Sequence, residues 1–138
     1  MITPFYDEQR EAFGRSYGLS SCGYDVRLRQ TIWVWPFWGR KGSIIEYIDL
    51  PDDLSAGLKD KSTNARLMVF VANTVTEPGW RGYLTVELTR HKPWPIRLRR
   101  GTPIAQVQFI LLDEATERPY SGKYQDQGVD PQPAKLKP

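Results

Sequence analysis

The sequence predicts an all-β domain, and three features carry that reading. Proline and glycine, eleven of each, punctuate the chain at short intervals. The segments between them are strand-sized. They are also rich in Val, Ile, Tyr, Trp and Thr, residues that suit a half-buried pleated surface. Many short strands between turn signals make a sandwich, a barrel or a jelly roll. At 138 residues the chain can bury one real core but not two.

In chain order, the polar Asp7–Phe13 stretch reads as a short helix. Strands are expected at Tyr24–Arg29, Ile32–Trp35, Ile44–Ile48, Leu67–Thr74, Gly82–Thr89, Ile96–Arg99 and Ile104–Leu111. Pro51 followed by Asp52 and Asp53 suits a helix start, so Pro51–Ala56 is expected as a helical turn. Pro78-Gly79 is a turn signal between two good strands, which makes Leu67–Thr89 a candidate hairpin. There is no internal repeat. The domain is expected over residues 1–128, with 129–138 a polar, Pro-rich tail, mobile unless a ligand or neighbouring subunit orders it.

Composition narrows the setting. No apolar run approaches the roughly 20 residues that span a bilayer. The charged N-terminus lacks the apolar centre of a signal peptide. The lone Cys22 fits a reducing compartment, so a cytoplasmic protein is expected. The formal net charge of +3 is mild. Basic residues cluster in Arg90–Arg100 (RHKPWPIRLRR), a patch that could attract a polyanion. Such runs are more often the wet face of a strand or turn, and neither nucleic acid nor membrane is expected as a partner. In WVWPFW, alternation puts Trp33 and Trp35 on one face, read as core or subunit-interface packing rather than base stacking.

Several chemistries lack their residues. A zinc deaminase needs three Cys/His ligands and a Glu, and one His with one Cys cannot supply them. His91 sits in a Lys/Pro-rich turn with no nucleophile motif nearby and reads as a surface histidine. No phosphate-cradling GxxxxGK[ST] loop exists. Hydrolysis would have to rest on carboxylates, hydroxyls and arginines.

Three constellations hold such groups. KDKSTNAR (Lys59–Arg66) sets hydroxyls and an amide between Lys61 and Arg66, a set that suits phosphate and equally suits a polar surface loop. In TVTEPGWRGYLTVELT (Thr74–Thr89), alternation puts Tyr83, Thr85, Glu87 and Thr89 on one face and Leu84, Val86 and Leu88 on the other. Glu87 is then a solvated residue or a site carboxylate, and pattern alone favours the first. RPYSGKYQDQG (Arg118–Gly128) is a flexible segment able to fold over an anion.

Taken together and in order, these segments resemble the dCTP deaminase family of the trimeric dUTPase-like superfamily. The resemblance runs through SYGLSSCGYDVRL (Ser16–Leu28), EYIDLPDDL (Glu46–Leu54), KSTNAR (Lys61–Arg66), NTVTEPGWRGYLTVEL (Asn73–Leu88), GTPIAQVQF (Gly101–Phe109) and YSGKYQDQG (Tyr120–Gly128). It implies a distorted β jelly roll that assembles as a homotrimer with active sites at subunit interfaces. It also implies the reaction dCTP + H2O → dUTP + NH3 on the Mg2+-bound nucleotide, without zinc. By position, Glu87 resembles the catalytic glutamate, base and then acid, while Ser62 and Arg66 orient the water and touch substrate. Lys61, Thr63, Asn64 and Ala65 belong with them in a phosphate-holding unit. Glu77 matches an acidic position near the deoxyribose, and Thr85 and Val86 lie on the strand beside the pyrimidine. Tyr120, Lys123 and Gln127 match residues that close over the triphosphate. Against the family pattern, the stretch from Leu28 to Glu46 is short and Trp-rich, and Asn64, Leu67 and Arg90 are atypical.

Three rivals share the fold: a dUTPase, a bifunctional deaminase–dUTPase, and a nucleotide-binding regulatory protein without turnover. A dUTPase carries Asp where Glu77 stands and has no use for Glu87. A pure binder would not need Glu87 either. A 5-substituted dCTP as substrate is a variant of the first reading.

Overall fold

A computed structural model describes residues 1–136; the last two residues of the expected tail, 137–138, lie outside the described residues. The chain forms β1 (Ile2–Thr3), β2 (Gln9–Ala12), β3 (Arg15–Leu19), β4 (Tyr24–Arg27), β5 (Ile32–Val34), β6 (Arg40–Ser43), β7 (Tyr47–Asp49) and β8 (Leu54–Asp60). The short helix α1 (Ser62–Arg66) follows, then β9 (Val69–Val71), β10 (Val75–Thr76), β11 (Arg81–Gly82), β12 (Thr85–Arg90), β13 (Ile96–Leu98) and β14 (Pro103–Leu111).

These strands build four sheets: β10-β8-β14-β4-β3-β2, β6-β12-β9, β1-β7-β11 and the ribbon β13-β5, with every strand pair antiparallel. One core lies among them, filled from all four sheets by residues such as Val26, Val34, Ile48, Leu58, Val86, Leu98 and Ile104. This is the all-β arrangement of antiparallel sheets expected. The alternation that drives it is plain on β12, where Val86, Leu88 and Arg90 are buried and Glu87 and Thr89 are exposed.

Three local expectations are corrected. The Asp7–Phe13 helix is instead strand β2, paired with β3 through Ala12↔Arg15. Phe13 and Gly14 join them with φ of 52° and 68°, the two positive angles of a type I′ hairpin turn. Phe is rare in that conformation, so the turn is hidden in the sequence. The Pro51–Ala56 helical turn becomes a turn leading into β8, whose long ladder from Ala105↔Asp60 to Leu111↔Leu54 overrides the local helix signal. The Leu67–Thr89 hairpin is half right. Val71 does pair with Leu88, but β10 leaves to join β8 and β11 to join β7. Pro78 and Gly79 sit at the centre of a turn closed by Trp80 N–H donating to Glu77 O at 3.1 Å.

Candidate functional site

The β12 strand sets the site. Because Val86 and Leu88 are driven into the core, Glu87 projects outward from a strand held on both edges, by β6 and by β9. It opens on a cleft of about 360 Å3, lined also by Thr74, Thr76, Glu77, Trp80, Leu84 and Thr85 from the same stretch of chain. Lys41 of β6 lies directly across the ladder from Glu87 and lines the cleft with it. The chain's last described residues close the far side with Tyr120, Tyr124, Gln127, Gln132, Pro133 and Ala134.

That closing segment is fastened by specific bonds. Trp80 Nε1 donates to Tyr124 O at 2.8 Å, and Tyr83 N to Gln127 O at 3.0 Å. Gln127 Oε1 accepts from Thr85 N and from Thr85 Oγ1, at 3.3 and 3.2 Å. Gly82, at φ 143°, bridges to Gln127 so closely that a Cβ there would stand 2.6 Å from Gln127 N. Only glycine lets the segment reach this strand. Beyond Gly128, Ser43 Oγ donates to Val129 O at 2.5 Å, Gln132 N donates to Thr85 Oγ1 at 2.9 Å, and Lys135 N donates to Tyr124 OH at 2.9 Å.

Five of the residues singled out from sequence therefore meet at one cleft: Glu87, Glu77, Thr85, Tyr120 and Gln127. Val86 stays with them only through its backbone, since its side chain is fully buried. Lys123 lies outside the cleft lining, and its ammonium donates to Lys135 O.

The α1 unit stands apart, with none of its residues lining that cleft. Ser62, Thr63 and Arg66 are exposed, Ala65 is half-buried, and Arg66 enters no ion pair among the described residues. The other two members serve as anchors. Lys61 Nζ donates to Asp25 Oδ2 at 2.5 Å and to Ser16 Oγ at 3.2 Å, with Asp25 buried. Asn64 is also buried: its amide donates to Pro103 O and Ile104 O at 3.0 and 3.2 Å, and its Oδ1 accepts from Arg15 Nε at 2.6 Å. These five bonds tie α1 to the six-stranded sheet and aim its remaining side chains outward.

Sequence reasoning missed Lys41, Trp80, Tyr124 and Gln132 as cleft residues. Lys41 had no local signal, because only the β6–β12 register brings it to Glu87. Among the described residues no three His, Cys, Asp or Glu side chains converge as a metal site, and no helix is long and apolar enough to cross a membrane.

Residues 41–112 match the family described as dCTP deaminase-like. A dCTP deaminase of Campylobacter curvus is 34% identical, covering 92% of this chain and 86% of its own length. That alignment runs over 159 residues, more than the chain possesses, so the relative carries residues within it that this chain lacks. Among solved structures, the dCTP deaminase of Agrobacterium tumefaciens superposes with a TM-score of 0.60 at 20% identity, over 67% of this chain and 40% of that one. A dUTPase of phage phi11 of S. aureus, whose structure details a structural Mg(II) ion, superposes with a TM-score of 0.65 at 10% identity, over 90% of this chain and 97% of that one. At these identities the structures speak for the fold. The sequence match spans β6 to β14 and so holds both the Glu87 strand and the Ser62–Arg66 helix, and the chain belongs to the dCTP deaminase-like family.

Proposed function

We propose that the protein hydrolyses dCTP to dUTP and ammonia, with Glu87 as the proton-transferring group. One observation carries this reading most: Glu87 projects from a doubly held strand into a cleft of nucleotide size, beside Glu77, Thr85, Tyr120 and Gln127. In the reaction, the Glu87 carboxylate takes a proton as water oxygen bonds to C4 of the cytosine. It returns that proton to the 4-amino nitrogen, the C4–N bond breaks and ammonia leaves. Trp80 and Leu84 supply an apolar wall for the base, and Glu77 meets the sugar. Lys41, the only cationic side chain lining the cleft among the described residues, is available to the phosphates. Mg2+ enters as part of the substrate, bound to the triphosphate.

In this reading each cleft is completed by a second copy of the chain in a homotrimer. The exposed Ser62, Thr63 and Arg66 of one copy reach the cleft of its neighbour, where they orient the water and hold phosphate. Their outward position on α1, away from the cleft of their own chain, supports this division. Lys123 joins the phosphate grip by giving up its bond to Lys135 O. The cytoplasm is the proposed setting, where the exposed Cys22 thiol stays reduced.

The dUTPase reading shares the fold, and a single assay separates the two. The protein is incubated with Mg2+ and dCTP, dUTP or 5-methyl-dCTP, and products are resolved chromatographically. Ammonia and dUTP from dCTP are expected. No ammonia from any cytosine nucleotide would sink the deaminase reading, dUMP from dUTP would establish pyrophosphate release, and faster turnover of 5-methyl-dCTP would name a modified substrate.

A further inference from the structure

The Trp-rich segment lies outside the cleft, and its rings do not fill the core of their own chain. Trp33 and Trp35 do share a face, but that face points outward. Trp33, Trp35, Trp38 and Phe37 are 50%, 52%, 76% and 99% exposed. Their neighbours Ile32 and Val34 are buried, so the core holds β5 by its other side and presents the rings. Across the β5–β13 ribbon Trp33 faces Arg97, also exposed, and Arg99 follows two residues on along the same outward face. Two grooves flank the rings. One of about 440 Å3 is bounded by Trp33, Trp35, Trp38 and Arg40; the other, of about 520 Å3, runs past Phe37, His91 and Lys92.

The two stretches of chain that supply this face carry charge of one sign. From Leu28 to Ile45 and from Leu88 to Leu112 there is no Asp or Glu, while Arg29, Arg40, Lys41, Arg90, Lys92, Arg97, Arg99 and Arg100 fall in those two stretches. Arg90 is spent on structure, donating to Leu67 O and Trp94 O from a buried position. Arg40, Lys92, Arg97, Arg99 and Arg100 enter no ion pair among the described residues.

We propose that this face, Trp33, Trp35 and Trp38 interleaved with Arg40, Arg97 and Arg99, binds single-stranded nucleic acid. Flat rings set two residues apart, ~7 Å along the strand, offer successive platforms for unpaired bases. Cations level with the rings track the phosphates. Pairing of this face with the same face of a second copy fits poorly, because it would press arginines together without carboxylates.

The test is fluorescence anisotropy of labelled oligothymidylate and oligouridylate of about 20 nucleotides, with a duplex of equal length for comparison. The full chain, Trp33→Ala/Trp35→Ala and Arg97→Glu/Arg99→Glu are titrated, with intrinsic tryptophan fluorescence followed in parallel. Salt-sensitive binding of one or both single strands with tryptophan quenching is expected, and the preferred oligomer says whether DNA or RNA is the source. Each double variant should weaken binding about tenfold or more, leaving dCTP turnover and sedimentation unchanged. Should the tryptophan variant fold poorly, the arginine pair at exposed positions carries the test. No binding at low salt would overturn the proposal, as would binding unchanged in the arginine variant or a duplex bound as tightly as single strands. A changed sedimentation coefficient would make the face a contact between copies, and capture by phosphatidylserine vesicles but not by oligonucleotides would make it a membrane surface. Each of those results also overturns it. Because binding is read without turnover, a failed deaminase assay leaves this result standing.

Discussion

The Glu87 cleft and the Ser62–Arg66 helix were both marked by sequence as parts of one site, yet the chain treats them differently. The cleft is assembled within a single chain: strand pairing brings Lys41 to Glu87, and the closing segment brings Tyr120 and Gln127 over them. The helix is equally well anchored, through buried Asn64 and through Lys61 on Asp25, but its free side chains point elsewhere. The anchors show that this outward aim is built in. A rigid presentation of Ser62, Thr63 and Arg66 to solvent has a use if another copy supplies the rest.

Substitutions on the two sides should separate these roles. The largest effect is expected at Glu87. Glu87→Gln keeps the shape of the cleft but removes proton transfer, so ammonia release should fall about a thousandfold or more while nucleotide still binds. A near-normal rate would remove Glu87 from the chemistry. On the helix side, Asn64→Ala leaves two buried carbonyls and Arg15 without their partner. That should cost about 3 kcal/mol of folding stability, read as a lowered urea midpoint. A stability loss below about 1 kcal/mol would contradict the anchoring role. Smallest is Lys41→Met, which should raise the KM for dCTP about fivefold and leave kcat nearly unchanged, as befits one exposed cation meeting phosphate. A fall in kcat instead would place Lys41 with Glu87 in the proton transfer.

How far these regions were legible in the sequence follows from how local their causes are. The outward aim of Glu87 was readable because alternating Leu84, Val86 and Leu88 dictate it without reference to any other strand. The β2–β3 hairpin was not, because its turn uses Phe13 at positive φ, which only tertiary packing rewards. β8 hid behind Pro51-Asp52-Asp53, whose helix-start chemistry is local while its pairing with β14 is not. Lys41 likewise depends on register across two sheet strands. Alternation paired Trp33 with Trp35 but could not say whether that face meets the core or water. Even so, the order of short motifs along the chain pointed to the family before any contact was known.

The division of the site between copies has one direct measurement. Chains carrying Glu87→Gln and chains carrying Arg66→Ala, each nearly inactive alone, are co-refolded in equal amounts and assayed for ammonia release from dCTP. If Glu87 of one copy works with Arg66 of its neighbour, random mixing leaves about one quarter of the clefts with both native residues, and activity should return to about that share of wild type. If the mixture stays as inactive as its parents, Glu87 and Arg66 serve the same chain, and the account of a shared site is wrong.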